Sequence, residues 1–171
     1  SVLSKKSPSL KINISQITLP ILGICYGFQY ISHELGGKIL KTNDREYGNT
    51  LIEALKSNLL FKNTPKSQKV WMSHGDSLNK LPKGFKIIAK TKNNIVAAIT
   101  NNKNIYALQF HPEVTHSDFG KEILSNFLFK ICKFKKNWSS INLNTNVKKY
   151  LNLNINEKEP SIICAVSGGV D

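Results

Sequence analysis

Pro20-Ile21-Leu22-Gly23-Ile24-Cys25-Tyr26-Gly27-Phe28-Gln29-Tyr30-Ile31-Ser32-His33-Glu34-Leu35-Gly36-Gly37 is the stretch on which the fold turns. Pro20 to Ile24 is a short apolar run of the kind that makes a buried strand. From Tyr26 the spacing becomes helical, with Phe28, Ile31 and Leu35 on one face and Gly36-Gly37 as the stop. A strand that passes through a cysteine into a helix has the shape of a nucleophile elbow, a turn that holds a reactive side chain in a strained, exposed position. Glycine on either side of Cys25 removes Cβ atoms that would clash there. Unpaired amides and the positive dipole end at the helix N-terminus favour thiolate over thiol, so the Cys25 pKa is expected to be lowered, and the Tyr26 amide is expected to face an oxyanion. Read alone, Gly-Ile-Cys-Tyr-Gly fits an ordinary core cysteine between turn glycines equally well.

Downstream, Val70-Trp71-Met72, Phe85 to Thr91, Asn94 to Thr100 and Ile105 to Phe110 read as strands. Turn signals fall at Gly75-Asp76, Pro82-Lys83-Gly84, Asn93-Asn94 and Asn101-Asn102. From Asp118 the spacing is helical again, with Phe119, Ile123, Leu124, Phe127, Leu128 and Ile131 on the side expected to pack on the sheet, and the first unit ends near Lys136. Residues 137–159 are polar and Asn-rich. Pro160 then leads into an apolar strand, Ser161 to Val166, which feeds Ser167-Gly168-Gly169-Val170-Asp171. The expected organisation is one domain over 1–136, then a linker and the start of a second domain over 137–171.

A cysteine nucleophile needs a base and a group that orients the base. Phe110-His111-Pro112-Glu113 follows a predicted strand end and offers both, with Pro112 stiffening the connection so that His111 and Glu113 reach the same side. Each of the two, taken singly, fits a structural histidine or a solvated loop acid. Together with Cys25 they make a Cys-His-Glu set.

The 171 residues, 40% hydrophobic and 20% charged, are those of a globular protein and not of a disordered or repetitive chain. No apolar run approaches the roughly 18 to 20 residues of a membrane span, and residues 1–9 lack the apolar block of a signal peptide. Three cysteines, Cys25, Cys132 and Cys164, with no CxxC pair, argue against a disulfide framework and a zinc cluster, so no metal site is assigned and a reducing cytoplasm is expected. The net charge of +13 raises a nucleic-acid reading, yet of the 24 basic residues only Arg45 is an arginine and the lysines are scattered. Lys130 to Lys136, with Phe129, Phe134 and Trp138 interleaved, reads as a lysine-rich helix C-terminus favoured by the dipole in preference to a base-stacking surface. No specific nucleic acid and no membrane partner are expected.

GICYGFQ at 23–29 together with QFHPEVTH at 109–116 resembles the class I, or triad, glutamine amidotransferases. Within that family, Arg45-Glu-Tyr-Gly48, Val70-Trp-Met-Ser-His-Gly-Asp76, His111-Pro-Glu-Val-Thr-His116 and the closing SGGVD are similar to the glutamine-hydrolysing GMP synthases. The resemblance implies a doubly wound α/β amidotransferase sheet, followed by the first strand and loop of an adenine nucleotide α-hydrolase-like domain. It implies Cys25 as nucleophile, His111 as general base and then acid, Glu113 as its orienting carboxylate, and Tyr26 as one oxyanion amide. Gln29 and Ser73-His74-Gly75 would help to hold the substrate glutamine. Ser167, Gly168, Gly169, Val170 and Asp171 would belong to the loop that binds the pyrophosphate of ATP.

The implied reaction is amination of xanthosine monophosphate to GMP, with ATP and Mg²⁺ as cofactors of the second active site, ammonia from glutamine, and a homodimer at full length. His33 matches no functional position and is expected at the surface; His116 matches the motif, with a structural or interface role as open as a catalytic one. Ser1 stands where the family has just completed a turn bearing the other oxyanion amide, and Asp171 falls inside a loop, so the chain reads as a fragment expected to be inactive alone. The rival readings are the glutaminase of another biosynthetic amidotransferase, against which the 70–76 and 111–116 phrases and SGGVD argue, and a non-catalytic remnant, against which the complete triad argues.

Overall fold

Gly23 lies where a strand and the helix that follows it cross at close range. A Cβ on it would stand 2.5 Å from Ile31 Cδ1 and 2.8 Å from the Gly27 carbonyl group, so only glycine lets the two elements pack. In the computed structural model, which describes residues 2–4, 6–55, 57–136 and 145–150, these elements are β1 (Ile21–Ile24) and α1 (Tyr26–Glu34). Phe28 and Ile31 are buried and Leu35 packs beside them, as the spacing predicts. Gly36, at φ 84°, closes α1 with its N–H on the His33 carbonyl.

Five further strands follow: β2 (Lys38–Ala54), β3 (Ser67–Lys80), β4 (Lys86–Thr91), β5 (Val96–Thr100) and β6 (Ile105–Leu108). Their order across the sheet is β1-β6-β5-β4-β2-β3. Only β1 and β6 pair in parallel among them; every other pairing is antiparallel. The doubly wound expectation is therefore corrected to a mixed α/β sheet. Its physical reason lies in the connections: the turns at Asn93-Asn94 and Asn101-Asn102 are too short for crossovers and close the hairpins β4–β5 and β5–β6. Asn94 and Asn102 take left-handed φ values of 65° and 57°, and the Asn101 side chain accepts the N–H groups of Lys103, Asn104 and Ile105.

Both faces of the sheet are covered. Ile105 and Ala107 of β6 turn to the cluster that holds Phe28, Tyr30 and Ile31 of α1, while Tyr106 and Leu108 turn to the opposite cluster with Phe61, Phe110 and Ile123. Ile123 belongs to α2 (Gly120–Ser125), which runs on into a π-helical turn over Asn126–Ile131. The N–H of Cys132 there bonds the Phe127 carbonyl five residues back. Asn126, fully buried, donates to the carbonyls of Leu60 and Lys62 and so ties this turn to the short 3₁₀ segment Leu59–Phe61.

The expected helix from Asp118 to Lys136 is thus shorter. Lys133 has φ 58° and ends it, so Lys135 and Lys136 lie beyond the helix and not on its last turn. The Gly75-Asp76 turn is likewise corrected, because β3 runs straight through both residues. Lys41 pairs with Asp76 and Glu46 with His74, and the register shift between them absorbs the four intervening residues of β2. The chain divides into two compact units, Ser1–Phe134 and Lys135–Asp171. Residues 145–150 of the second are helical and exposed. The strand expected over 161–166, the loop 167–171, Cys164 and Trp138 lie outside the described residues.

Candidate active site

Cys25 sits between β1 and α1 at φ 49° and ψ −99°, a backbone conformation that costs an L residue on the order of 1 to 3 kcal/mol. The strain is held in place from both sides. The Cys25 N–H donates to the Leu108 carbonyl at the end of β6, at 2.8 Å, and the Gln29 N–H of the first helical turn donates back to the Cys25 carbonyl. The expectation of two spacing-critical glycines holds for one of them. Gly23 has no room for a side chain, whereas a Cβ on Gly27 would meet nothing within 4 Å.

The sulfur is half-buried. Its S–H donates to the Ser73 carbonyl of β3 at 3.7 Å, and the Gln109 side-chain N–H approaches it at 4.0 Å. Burial pushes the Cys25 thiol up, the Tyr26 N–H pulls it down, and the Glu113 carboxylate pushes it up again. The net direction is upward, which corrects the expectation of a depressed pKa. Desolvation of the anion outweighs one helix N-terminal amide.

β6 leads to His111, the expected base. Past Leu108 the chain turns so that the His111 N–H donates to the Trp71 carbonyl of β3 at 3.0 Å. Trp71 and Ser73 present carbonyls from the same edge of one strand, about 7 Å apart by strand geometry. Cys25 and His111 therefore dock side by side on β3. The His111 Nδ1 donates to Glu113 Oε1 at 2.6 Å, which fixes the imidazole and leaves Nε2 for chemistry. His111 is a quarter exposed and Glu113 half exposed, so the pair stands at the rim of the site.

Ser117, to which the sequence assigned no role, locks this loop: its hydroxyl donates to the His111 carbonyl at 2.6 Å and accepts from the Trp71 N–H at 3.1 Å. The Asp118 N–H takes the Lys69 carbonyl. The free edge of β3, an aggregation liability in most sheets, is here used up by the loop that carries His111. Gly120 lets α2 start against this loop, since a Cβ there would lie 1.9 Å from the Pro112 carbonyl oxygen. No sequence signal marked Ser117, because its partners are 46 residues away in the chain on one side.

The other expected site residues are placed as follows. Gln29 is buried and donates to the Asp76 carbonyl and to Gln109 Oε1, both at 3.3 Å. Ser73 is exposed and meets the sulfur through its backbone. His74 points the other way into the protein, with Nδ1 on the Asp76 carbonyl at 3.0 Å and Nε2 3.2 Å from the buried Glu46 carboxylate. Gly75 is half-buried beside it. Tyr26 donates its hydroxyl to the Pro8 carbonyl, leaving its amide with Cys25. His116 packs tilted against Trp71, ring centroids 4.6 Å apart, and His33 lies exposed beside Glu34.

The chain has matches among known proteins. The glutamine amidotransferase class-I family profile matches residues 4–131. The chain belongs to the class I glutamine amidotransferase family. Over its whole length this amidotransferase chain is 45% identical to the glutamine-hydrolysing GMP synthase of Brachyspira hyodysenteriae and 41% identical to that of Aquifex aeolicus, spanning 33% of each relative. Its fold is similar to the crystal structure of a protein assigned to GMP synthase in Thermoplasma acidophilum, with a TM-score of 0.66 and 32% identity over 80% of this chain and 64% of that one. A glutamine amidotransferase from Thermotoga maritima shares the fold at a TM-score of 0.52 and 23% identity, over 78% of this chain and 56% of that one. Among the described residues no helix is long and apolar enough to cross a membrane, and no group of three His, Cys, Asp or Glu side chains could hold a metal ion.

Proposed function

We propose that this chain is the glutaminase portion of a glutamine-hydrolysing GMP synthase. One observation carries the chemistry: β3 seats the strained Cys25 and the His111–Glu113 pair on adjacent outward carbonyls, Ser73 and Trp71. In the proposed reaction His111 Nε2 takes the Cys25 proton, and the sulfur forms a bond to the side-chain carbonyl carbon of glutamine. The Tyr26 amide then bonds the tetrahedral oxyanion. His111 returns the proton to the nitrogen, the C–N bond breaks, and ammonia leaves a thioester. Water, deprotonated by His111, displaces the sulfur and releases glutamate. Glu113 holds the imidazolium throughout.

The synthase reading is supported by the GMP synthase relatives, of which the chain spans about a third, and by the residues at 70–76, 111–116 and 167–171. In that reading ATP activates the carbonyl of xanthosine monophosphate, Mg²⁺ accompanies the phosphates, and ammonia displaces AMP. Ser167, Gly168, Gly169, Val170 and Asp171 would hold the pyrophosphate through converging amides. They lie outside the described residues, and no step above runs through them. A homodimer and a cytoplasmic location belong to the same proposal.

The test uses the full-length protein. Cys25→Ala should make no GMP from glutamine yet make it from ammonium at high pH, where free NH₃ bypasses the triad. Asp171→Ala should lose both activities. Retained glutamine-dependent synthesis in Cys25→Ala ends the proposal, and amination of a different acceptor points to another amidotransferase.

A further inference from the structure

Gln109 lies at the end of β6, one per cent exposed, with its backbone N–H on the Ala97 carbonyl at 2.9 Å. Its side chain joins two groups of the site. Gln109 Oε1 accepts from Gln29 Nε2 at 3.3 Å, and Gln109 Nε2 faces the Cys25 sulfur at 4.0 Å. Gln29 Nε2 also donates to the Asp76 carbonyl at 3.3 Å.

The polarity of this row is fixed from one end. A backbone carbonyl can only accept, so the Gln29 group facing Asp76 must be its NH₂. That NH₂ also faces Gln109, which must therefore answer with its oxygen. The amide then has only its own NH₂ left for the sulfur. Three elements take part, α1 through Gln29, β3 through Asp76 and the end of β6 through Gln109. All three are buried, so no water competes for the orientation.

We propose that Gln109 is a further catalytic residue, a hydrogen-bond donor that stabilises the Cys25 thiolate, and that Gln29 is the positioning residue that holds it in the donating orientation. The proposal rests on the reading of Cys25 as nucleophile. The site needs such a donor. Burial and Glu113 both disfavour the anion, and the Ser73 carbonyl stabilises the thiol by accepting its proton. The Tyr26 N–H also favours the anion, but that amide is required by the oxyanion once glutamine is attacked. Charge on the sulfur strengthens the contact with Gln109 and draws it closer, since hydrogen bonds to an ionised acceptor are shorter and about twice as strong as neutral ones. The row also gives Gln29 a task apart from holding the substrate.

The readout is the pH profile of Cys25 alkylation by iodoacetamide in the full-length protein without glutamine, followed by peptide mass spectrometry. Gln109→Met keeps the length and nearly the volume of the side chain, and leaves Gln29 its bond to Asp76. Its alkylation should slow about tenfold at pH 8, with the profile shifted to higher pH, and kcat for glutamine hydrolysis should fall while KM changes less. Gln29→Met should slow alkylation in the same direction by freeing Gln109 to rotate. A profile in Gln109→Met that overlays the wild type, with an unchanged melting temperature, overturns the proposal. Should Gln109→Met fail to fold, an unshifted profile in Gln29→Met overturns it instead. Failure of the underlying reading has a separate signature, namely full glutaminase activity in Cys25→Ser.

Discussion

Cys25 is held by its backbone bond to β6, His111 by its backbone bond to β3 and Glu113 by the His111 ring, so substitution of these side chains should affect rate far more than fold. Cys25→Ala should abolish glutamine hydrolysis with little change in melting temperature, and a diazo-ketone analogue of glutamine should label Cys25 and spare Cys132 and Cys164 by mass spectrometry. General acid-base catalysis is worth about 10² to 10⁴ in rate, so His111→Ala should lose at least that much in kcat/KM. Glu113→Gln keeps an acceptor for Nδ1 and should lose less; wild-type kinetics for His111→Ala would refute the triad.

The raised thiol pKa gives a second expectation at the same scale. The folded state holds the Cys25 proton more tightly than the unfolded chain, so its contribution to stability is full below the unfolded thiol pKa and is lost as pH rises through the folded value. Cys25→Ser should therefore flatten the fall in melting temperature above about pH 8.5, the ordinary thiol value, relative to the wild type. An identical alkaline fall in both proteins would show that burial does not hold the thiol neutral.

At the scale of elements, the site depends on how the loop after β6 is clamped between β3 and α2. Ser117→Ala removes the donor to the His111 carbonyl and the acceptor for the Trp71 N–H, both part-buried, and should cost about 1 to 3 kcal/mol in denaturant titrations. It should also lower kcat about tenfold, because the base loses its anchor. Gly120→Ala places a Cβ against the Pro112 carbonyl, a backbone group that cannot swing aside as a side chain can. It should destabilise by about 1 to 3 kcal/mol or more and should depress kcat with it. Stability loss without any kinetic change in both variants would mean that the loop keeps its catalytic shape unaided.

At the scale of the whole molecule, the net charge of +13 is carried by lysines scattered along the sequence, with Arg45 as its one arginine. Lys133, Lys135 and Lys136 are exposed beyond the π-helical turn that ends at Ile131, and Phe134 among them is 62% exposed. Binding to a random DNA duplex should be weak and should vanish by physiological salt, as counterion release from scattered lysines predicts. A salt-resistant shift in an electrophoretic assay would reverse that view. The same composition explains why the basic chain can carry an amidotransferase fold, since solvated lysines leave the two core clusters on either face of the sheet untouched.

Local chemistry made much of this protein legible in its sequence. The change from an apolar run to helical spacing at Cys25 set β1, the elbow and α1, and glycine or asparagine marked the hairpin turns, because those signals act within a few residues of backbone. His-Pro-Glu put His111 within reach of Glu113 for the same reason, and the two side chains are hydrogen-bonded. Tertiary structure alone decided the rest. β2 was invisible because its ladder to β3 joins residues far apart in the chain and holds Gly48, at φ 89°, opposite Met72. The Gly75-Asp76 pair became strand for the same cause. The thiol pKa reversed direction because burial of the sulfur depends on β3 and on the end of β6, neither of which is near Cys25 in the chain. Ser117 and Gln109 join the site through partners 46 and 84 residues distant, where local propensity carries no information and only the folded sheet determines who meets whom.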